Sequence, residues 1–260
     1  MLFSELLSRV GDTPSTLEIT PDWMQGRATF GGLGAALAYE SMRRQVSEDL
    51  PVRCLQIAFI GPIDDQPLTV ESKVLRQGKS VAQVLGSITQ AGQTKLMVQG
   101  AFGKARESAI AVAGAPMRFE QDPGTIEPMP YIEGIIPAFT QHFDFRYCTA
   151  MPFMGSDATR MRGFVRFKEE PQHTLAHLLA LVDAWPPTTL PMLKRPAPAS
   201  SLTWTVEFVH PLTALRQGEY TQYEAEIVDS HQGYGHTRAK IWNEAGELLA
   251  ISQQTVTHFA

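Results

Sequence analysis

An internal repeat constrains this chain more than any other feature of it. Ile57-Ala-Phe-Ile-Gly-Pro-Ile63 is matched in type by Val206-Glu-Phe-Val-His-Pro-Leu212, and Thr89-Gln-Ala-Gly-Gln93 by Asn243-Glu-Ala-Gly-Glu247. Both pairs set a turn after an apolar strand, they come in the same order, and their separations differ by no more than a short loop insertion. A chain of 260 residues that repeats itself in this way reads as two copies of one structural module.

The elements around the matched segments repeat as well. Leu2, Phe3, Leu6, Leu7 and Val10 share one face of a short helix, and Ser15 to Thr20 alternates like a strand. Thr29 is the expected N-cap of a helix running from Gly31 to about Gln45. Strands follow at Val52–Ile60, Leu68–Arg76, Ser80–Thr89 and Lys95–Phe102, punctuated by Gly61-Pro62, Gln77-Gly78 and Ala91-Gly92. One helix followed by a meander is an α+β module. Residues 114–138, with five prolines from Pro116 to Pro137, form a linker between an N-terminal module at 1–113 and a C-terminal module at 139–260. The second copy offers strands at Gln141–Tyr147 and Arg162–Phe167 and a helix stopped by Pro186-Pro187. Further strands follow at Ser201–Val209, Tyr220–Val228, Gly235–Asn243 and Leu248–Thr257.

Charge and composition narrow the function classes. A net charge of −5 with dispersed Lys and Arg argues against a nucleic-acid partner. No segment approaches the roughly 20 apolar residues of a membrane span, and Glu5 interrupts the only N-terminal apolar stretch. Cys54 and Cys148 form no CxxC pair, which fits a reducing compartment and offers no metal site. A cytoplasmic protein without cofactor is the expectation.

The candidate chemistry centres on Asp183. It closes the apolar run Leu175-Ala-His-Leu-Leu-Ala-Leu-Val182, whose spacing is that of a buried helix, in a place where a bare carboxylate is costly unless partnered or used. It reads either as a structural aspartate held by hydroxyls or amides, or as a general base acting on water. Ser201, at the start of a strand, and one of Gln253 and Gln254, which point to opposite faces of another, are the polar groups available to it. Three such groups can hold one water against a carbonyl, and no Gly-x-Ser-x-Gly nucleophile elbow competes with them. His173 and His177 read as capping or partly exposed residues near the start of that helix. Gly31, Gly32 and Gly34 each cost roughly 1 kcal/mol relative to alanine in a helix interior. Close packing on a sheet, or close approach of backbone N–H groups to a ligand oxygen, would account for them.

In these segments the chain resembles acyl-CoA thioesterases of the type II, double-hotdog kind. The resemblance rests on Thr29-Phe-Gly-Gly32, Phe59-Ile-Gly-Pro62, Gly78-Lys-Ser-Val81, Leu181-Val-Asp183, Phe208-Val-His-Pro211 and the closing run Gly246 to Gln254, and it spans nearly the whole chain. It implies a tandem hotdog fold, each module a long helix wrapped by an antiparallel sheet. It also implies an acyl-CoA substrate whose water is oriented by Asp183, Ser201 and Gln254. Phe30, Gly31 and Gly32 would then form the oxyanion end of the first helix. Arg76 and Lys79, with Lys194 and Arg195, are the candidates for CoA phosphates, a mainly apolar tunnel would take the acyl chain, and a homodimer is expected. Thr203-Trp204 stand where the family's closest members carry Asp-His, and Ser200 is one residue from Ser201. A non-catalytic acyl-binding protein on the same fold is the competing reading, with a hotdog hydratase behind it.

Overall fold

A computed structural model describes residues 1–259. In chain order it contains α1 (Phe3–Ser8), β1 (Ser15–Leu17), β2 (Met24–Gln25), β3 (Ala28–Thr29), α2 (Gly31–Arg43), β4 (Val52–Phe59), β5 (Leu68–Gln77), β6 (Val81–Gln90) and β7 (Gln93–Gly103). The second half adds β8 (Phe143–Tyr147), β9 (Arg160–Phe167), α3 (Leu175–Asp183), β10 (Ala199–Phe208), β11 (Thr221–His231), β12 (Tyr234–Trp242) and β13 (Leu248–His258). Eleven strands make one antiparallel sheet in the order β1-β5-β6-β7-β4-β10-β13-β12-β11-β9-β8. The halves join through β4 and β10, with Ala58 opposite Thr203 and Cys54 opposite Glu207. Inside this wrap α2 lies on the first half's strands and against α3. This is a double hotdog fold.

Local chemistry accounts for most of the boundaries. Ala91 and Gly92 both adopt positive φ, 48° and 74°, the geometry a two-residue hairpin needs between β6 and β7. Thr29 is not the cap of α2. Its N–H donates to the Ile63 carbonyl and it belongs to the small β2–β3 hairpin, so Phe30 occupies the cap position. Gly34 explains itself by packing, since an added Cβ would stand 3.2 Å from Ile63 Cδ1 in the β4–β5 loop and 3.6 Å from Leu96 Cδ1 on β7. No helix among the described residues is long and apolar enough to cross a membrane.

Two features of the second half bear on the site. His177 is not exposed; it is buried, its Nδ1 accepts the Thr174 N–H, and its Nε2 faces Glu170 Oε2 at 3.4 Å. Glu170, also buried, accepts the Phe3 and Ser4 amides and so ties α1 to the C-terminal half. Burial pushes the Glu170 carboxyl up, but the His177, Ser4 and Phe3 hydrogen bonds outweigh it and hold its pKa below the ordinary value.

The second feature is a socket for Trp185. Gly163 pairs with Tyr147 on one side and Tyr223 on the other. Above it the indole stacks on Tyr223 at 4.8 Å and meets Tyr147 edge-on at 5.1 Å. A Cβ on Gly163 would collide with the Arg146 carbonyl oxygen and the tip of the indole. Gly163→Ala is therefore expected to cost about 2–3 kcal/mol through overpacking against backbone that cannot yield. Thermal unfolding would show this as a fall in Tm, and an unchanged Tm would refute the socket.

Candidate active site

Asp183 is the last residue of α3, and every residue from Ala176 to Val182 before it is buried. The helix thus delivers the carboxylate to the point where α3 meets the N-terminus of α2, but leaves it only partly covered. An ideal Cβ on Gly31 would stand 2.8 Å from Asp183 Oδ2, and one on Gly32 would stand 3.1 Å from Asp183 Cβ. The two glycines are the reason α2 and α3 can approach this closely. Leu33 and Gly34 donate their N–H groups to the Phe30 carbonyl, which leaves the Gly31 amide at the open end of the helix and the Gly32 amide to Asp183.

Gln254 Nε2 donates to Asp183 Oδ1 at 3.0 Å, and Ser201 Oγ donates to Gln254 Oε1 at 3.0 Å. The amide orientation follows from charge. An ionised carboxylate only accepts, so Gln254 must turn its NH2 to Asp183 and its carbonyl to Ser201, and Ser201 must spend its proton on that carbonyl. Gln253 faces outward and is exposed, so Gln254 is the inward member of the pair.

Ser201 reaches this chain through a bulge. Trp204 sits directly opposite Gln254 and is buried, and strict alternation would turn Ser201 outward with the exposed Thr203. The register shifts between Ser201 and Thr203, Leu202 is the extra residue, and the strand below it flips. Ser201 then points in, opposite Val256, whereas the exposed Ser200 donates only to the Ser201 carbonyl. Trp204 donates its indole N–H to Ser252 and belongs to the core, while Thr203 beside it is exposed.

Burial pushes the Asp183 carboxyl up to about 7, with the Gln254 hydrogen bond and the Gly32 amide pulling it back only in part. A carboxylate in this range can accept a proton at neutral pH and release it in the same cycle. Around it stand Phe59, half-buried at the end of β4, and the phenol of Tyr223, itself raised first by burial and then by the Asp183 charge. No sequence motif marks Tyr223, and Phe59 enters only as the first residue of Phe59-Ile-Gly-Pro62, with no role read for its ring. Only the contact across the missing Gly31 side chain brings Phe59 to Asp183.

Arg76 and Lys79 are not brought here. They lie at the β5–β6 hairpin, at the sheet end where β4 begins, whereas Asp183 and Gly31 lie where β4 finishes. Eight residues of strand separate those ends, about 25 Å at the usual rise. Both side chains are exposed, as turn cations are. Lys95, whose carbonyl accepts the Ile60 and Gly61 amides, and Lys194-Arg195, ahead of β10, occupy the Ser201 end instead.

Residues 116–258 match the family model described as the acyl-CoA thioesterase C-terminal domain, and residues 19–103 match that of the N-terminal domain. The chain belongs to the acyl-CoA thioesterase family. It is a thioester hydrolase. Among solved structures it is similar to a hot dog fold protein of unknown function from Alicyclobacillus acidocaldarius. That match has 24% identity and a TM-score of 0.87, and covers 99% of this chain and 98% of that one. It is also similar to the acyl-CoA thioesterase II TesB2 from Mycobacterium marinum, at 17% identity and a TM-score of 0.78, over 99% and 98% of the two chains. No curated protein matches the chain in sequence.

Proposed function

We propose that the enzyme hydrolyses acyl-CoA to a free carboxylic acid and CoA, using a water activated by Asp183 and oriented by Ser201 and Gln254. The observation that carries this reading is the hydrogen-bond chain from Ser201 Oγ through Gln254 to Asp183 Oδ1, with Asp183 Oδ2 facing the gap at Gly31. With its proton committed to Gln254, Ser201 Oγ offers only lone pairs. A water that donates one hydrogen to Asp183 Oδ2 and the other to Ser201 Oγ turns its own lone pair toward a thioester carbonyl placed at the end of α2.

Attack forms the bond from water oxygen to the carbonyl carbon while Asp183 takes the water proton. The Gly31 amide at the helix terminus stabilises the developing oxyanion. Collapse breaks the carbon–sulfur bond, and the Asp183 carboxylic acid returns its proton to the departing CoA thiolate. Lys95, Lys194 and Arg195 are the cations at that end of the sheet to meet the CoA phosphates.

The test is release of free CoA thiol across a panel of acyl-CoA chain lengths, with Gln254→Ala beside the parent. Gln254→Ala is expected to lower kcat about 10²-fold, because it frees both Asp183 and Ser201 from their orientation. Acyl-CoA binding by the parent without CoA release would replace this reading with that of an acyl-binding protein.

A further inference from the structure

We infer that the Phe59 ring walls the acyl carbon next to the reacting carbonyl, so that the enzyme selects acyl groups unbranched at C2. The inference rests on the thioester-hydrolase reading above and adds the substrate class to it. Phe59 follows Leu55 and Ile57 on the inward face of β4, yet unlike them it is only half-buried. Its Cε1 and Cζ lie 3.0 and 3.3 Å from the point where a Gly31 Cβ would stand, and Asp183 Oδ2 lies 2.8 Å from that same point. The ring tip and the oxygen that receives the water proton therefore share the gap opened by one missing side chain. Because Ala58 pairs with Thr203, Phe59 also runs beside the β10 bulge that turns Ser201 inward.

A water held between Asp183 Oδ2 and Ser201 must lie against this ring. The carbonyl carbon it attacks stands about 3–3.5 Å from it, so the substituents on that carbon come within reach of the ring as well. One of them is the sulfur, which has to depart with CoA. The other is C2 of the acyl group, which stays in the site through collapse of the intermediate and meets Phe59. A methylene can pass along the ring edge; a tertiary carbon adds a methyl where the ring already stands. The site cannot widen beside Gly32, where the Phe30 ring tip stands 2.5 Å from the point a Gly32 Cβ would occupy. The Phe30 ring is stacked on Phe139 at 4.2 Å, nearly parallel, and both are buried. Gly31 and Gly32 are backbone at the start of a packed helix.

The experiment compares kcat/KM for the straight-chain acyl-CoA of the best-used length with its 2-methyl and 3-methyl derivatives, in the parent, Phe59→Ala and Phe59→Leu. The parent is expected to disfavour the 2-methyl substrate by at least about 10-fold, the scale of one misplaced methyl in a fitted pocket. It should treat the 3-methyl substrate within about 3-fold of the straight chain, because that branch lies past the ring. Phe59→Ala is expected to bring the 2-methyl discrimination within about 3-fold, with Phe59→Leu between. The 3-methyl ratio reports whether each variant still holds a working site. Equal use of straight and 2-methyl chains by the parent, or an unchanged ratio in both variants, overturns the inference and leaves the hydrolase reading standing. Release of CoA from none of the panel by the parent overturns both.

Discussion

Asp183→Asn is expected to lower kcat for thioester hydrolysis by about 10²–10⁴-fold, the range of a positioned general base. The amide keeps the shape of the side chain, and its oxygen can still accept from Gln254 Nε2, so the loss reports the missing base and not a collapsed site. The pH profile carries a second signature. Burial holds the Asp183 carboxyl at about 7, so the parent's kcat/KM should rise about tenfold per pH unit below that value and level off above it. The residual rate of Asp183→Asn should lack this limb. Equal rates in the two proteins would remove Asp183 from the chemistry.

The raised Asp183 pKa also bears on stability, with a sign opposite to that of an ordinary ion-paired aspartate. In the fold the group titrates near 7, and in the unfolded chain near its ordinary 3.8, so the folded state binds the proton more tightly. That favours the fold fully below about 4, fades as pH rises toward 7, and is absent above. Asp183→Asn has no proton to lose. It should therefore be more stable than the parent above pH 7. The gain should be about 1–3 kcal/mol, since each tenfold difference in proton affinity is worth about 1.4 kcal/mol before partial exposure is discounted. The advantage should shrink as pH falls toward 4. Paired melts at pH 5 and pH 8 measure it, and a destabilised variant at pH 8 would show that the carboxylate is held for the fold.

What the letters make legible is whatever depends on period and punctuation. The duplicated helix and meander, the buried character of Leu178 to Val182, and the Ala91-Gly92 hairpin all follow from local pattern, and the strands lie within a few residues of where alternation puts them. The pleat alone narrows the inward glutamine to Gln253 or Gln254. The bulge at Leu202 is not legible, because an extra residue leaves no mark on composition and yet reverses which face Ser201 occupies. Nor is the burial of His177, which depends on Glu170 and Phe3, residues brought to it from outside its own helix. Nor is the place of Arg76 and Lys79 at the far end of the sheet from Asp183, because a cation at a turn looks the same at either end.

The repeat also explains why one half carries the carboxylate and the other does not. Counted from the matched turns, Gln254 corresponds to Gly100. An added Cβ at Gly100 would stand 2.6 Å from the Met42 methyl, and one at Gly86 would stand 2.6 Å from the Met42 sulfur. The first half thus fills with a buried methionine, over two glycines, the space that the second half gives to polar groups. It contributes the end of α2 instead.

Gly31→Ala tests that contribution. Gly31 opens a helix and does not lie in the left-handed region, so alanine suits its backbone, and helix propensity alone would raise stability by up to about 1 kcal/mol. The new methyl, however, would stand 2.8 Å from Asp183 Oδ2 and 3.0 Å from the Phe59 ring, and one of them must move. Displacing either by about 1 Å misplaces the base or the wall, and kcat should fall about 10²-fold while Tm stays within a few degrees of the parent. Gly34→Ala, three residues along the same helix, comes tightly only upon the end of the Ile63 side chain, which can rotate away, with Leu96 and Ile88 at ordinary contact. It should keep the parent's kcat. Loss of activity in Gly31→Ala with none in Gly34→Ala separates a helix end built to admit the Asp183 carboxylate from a helix that merely packs closely, and equal activity in the two variants would leave the glycine at position 31 without a catalytic reason.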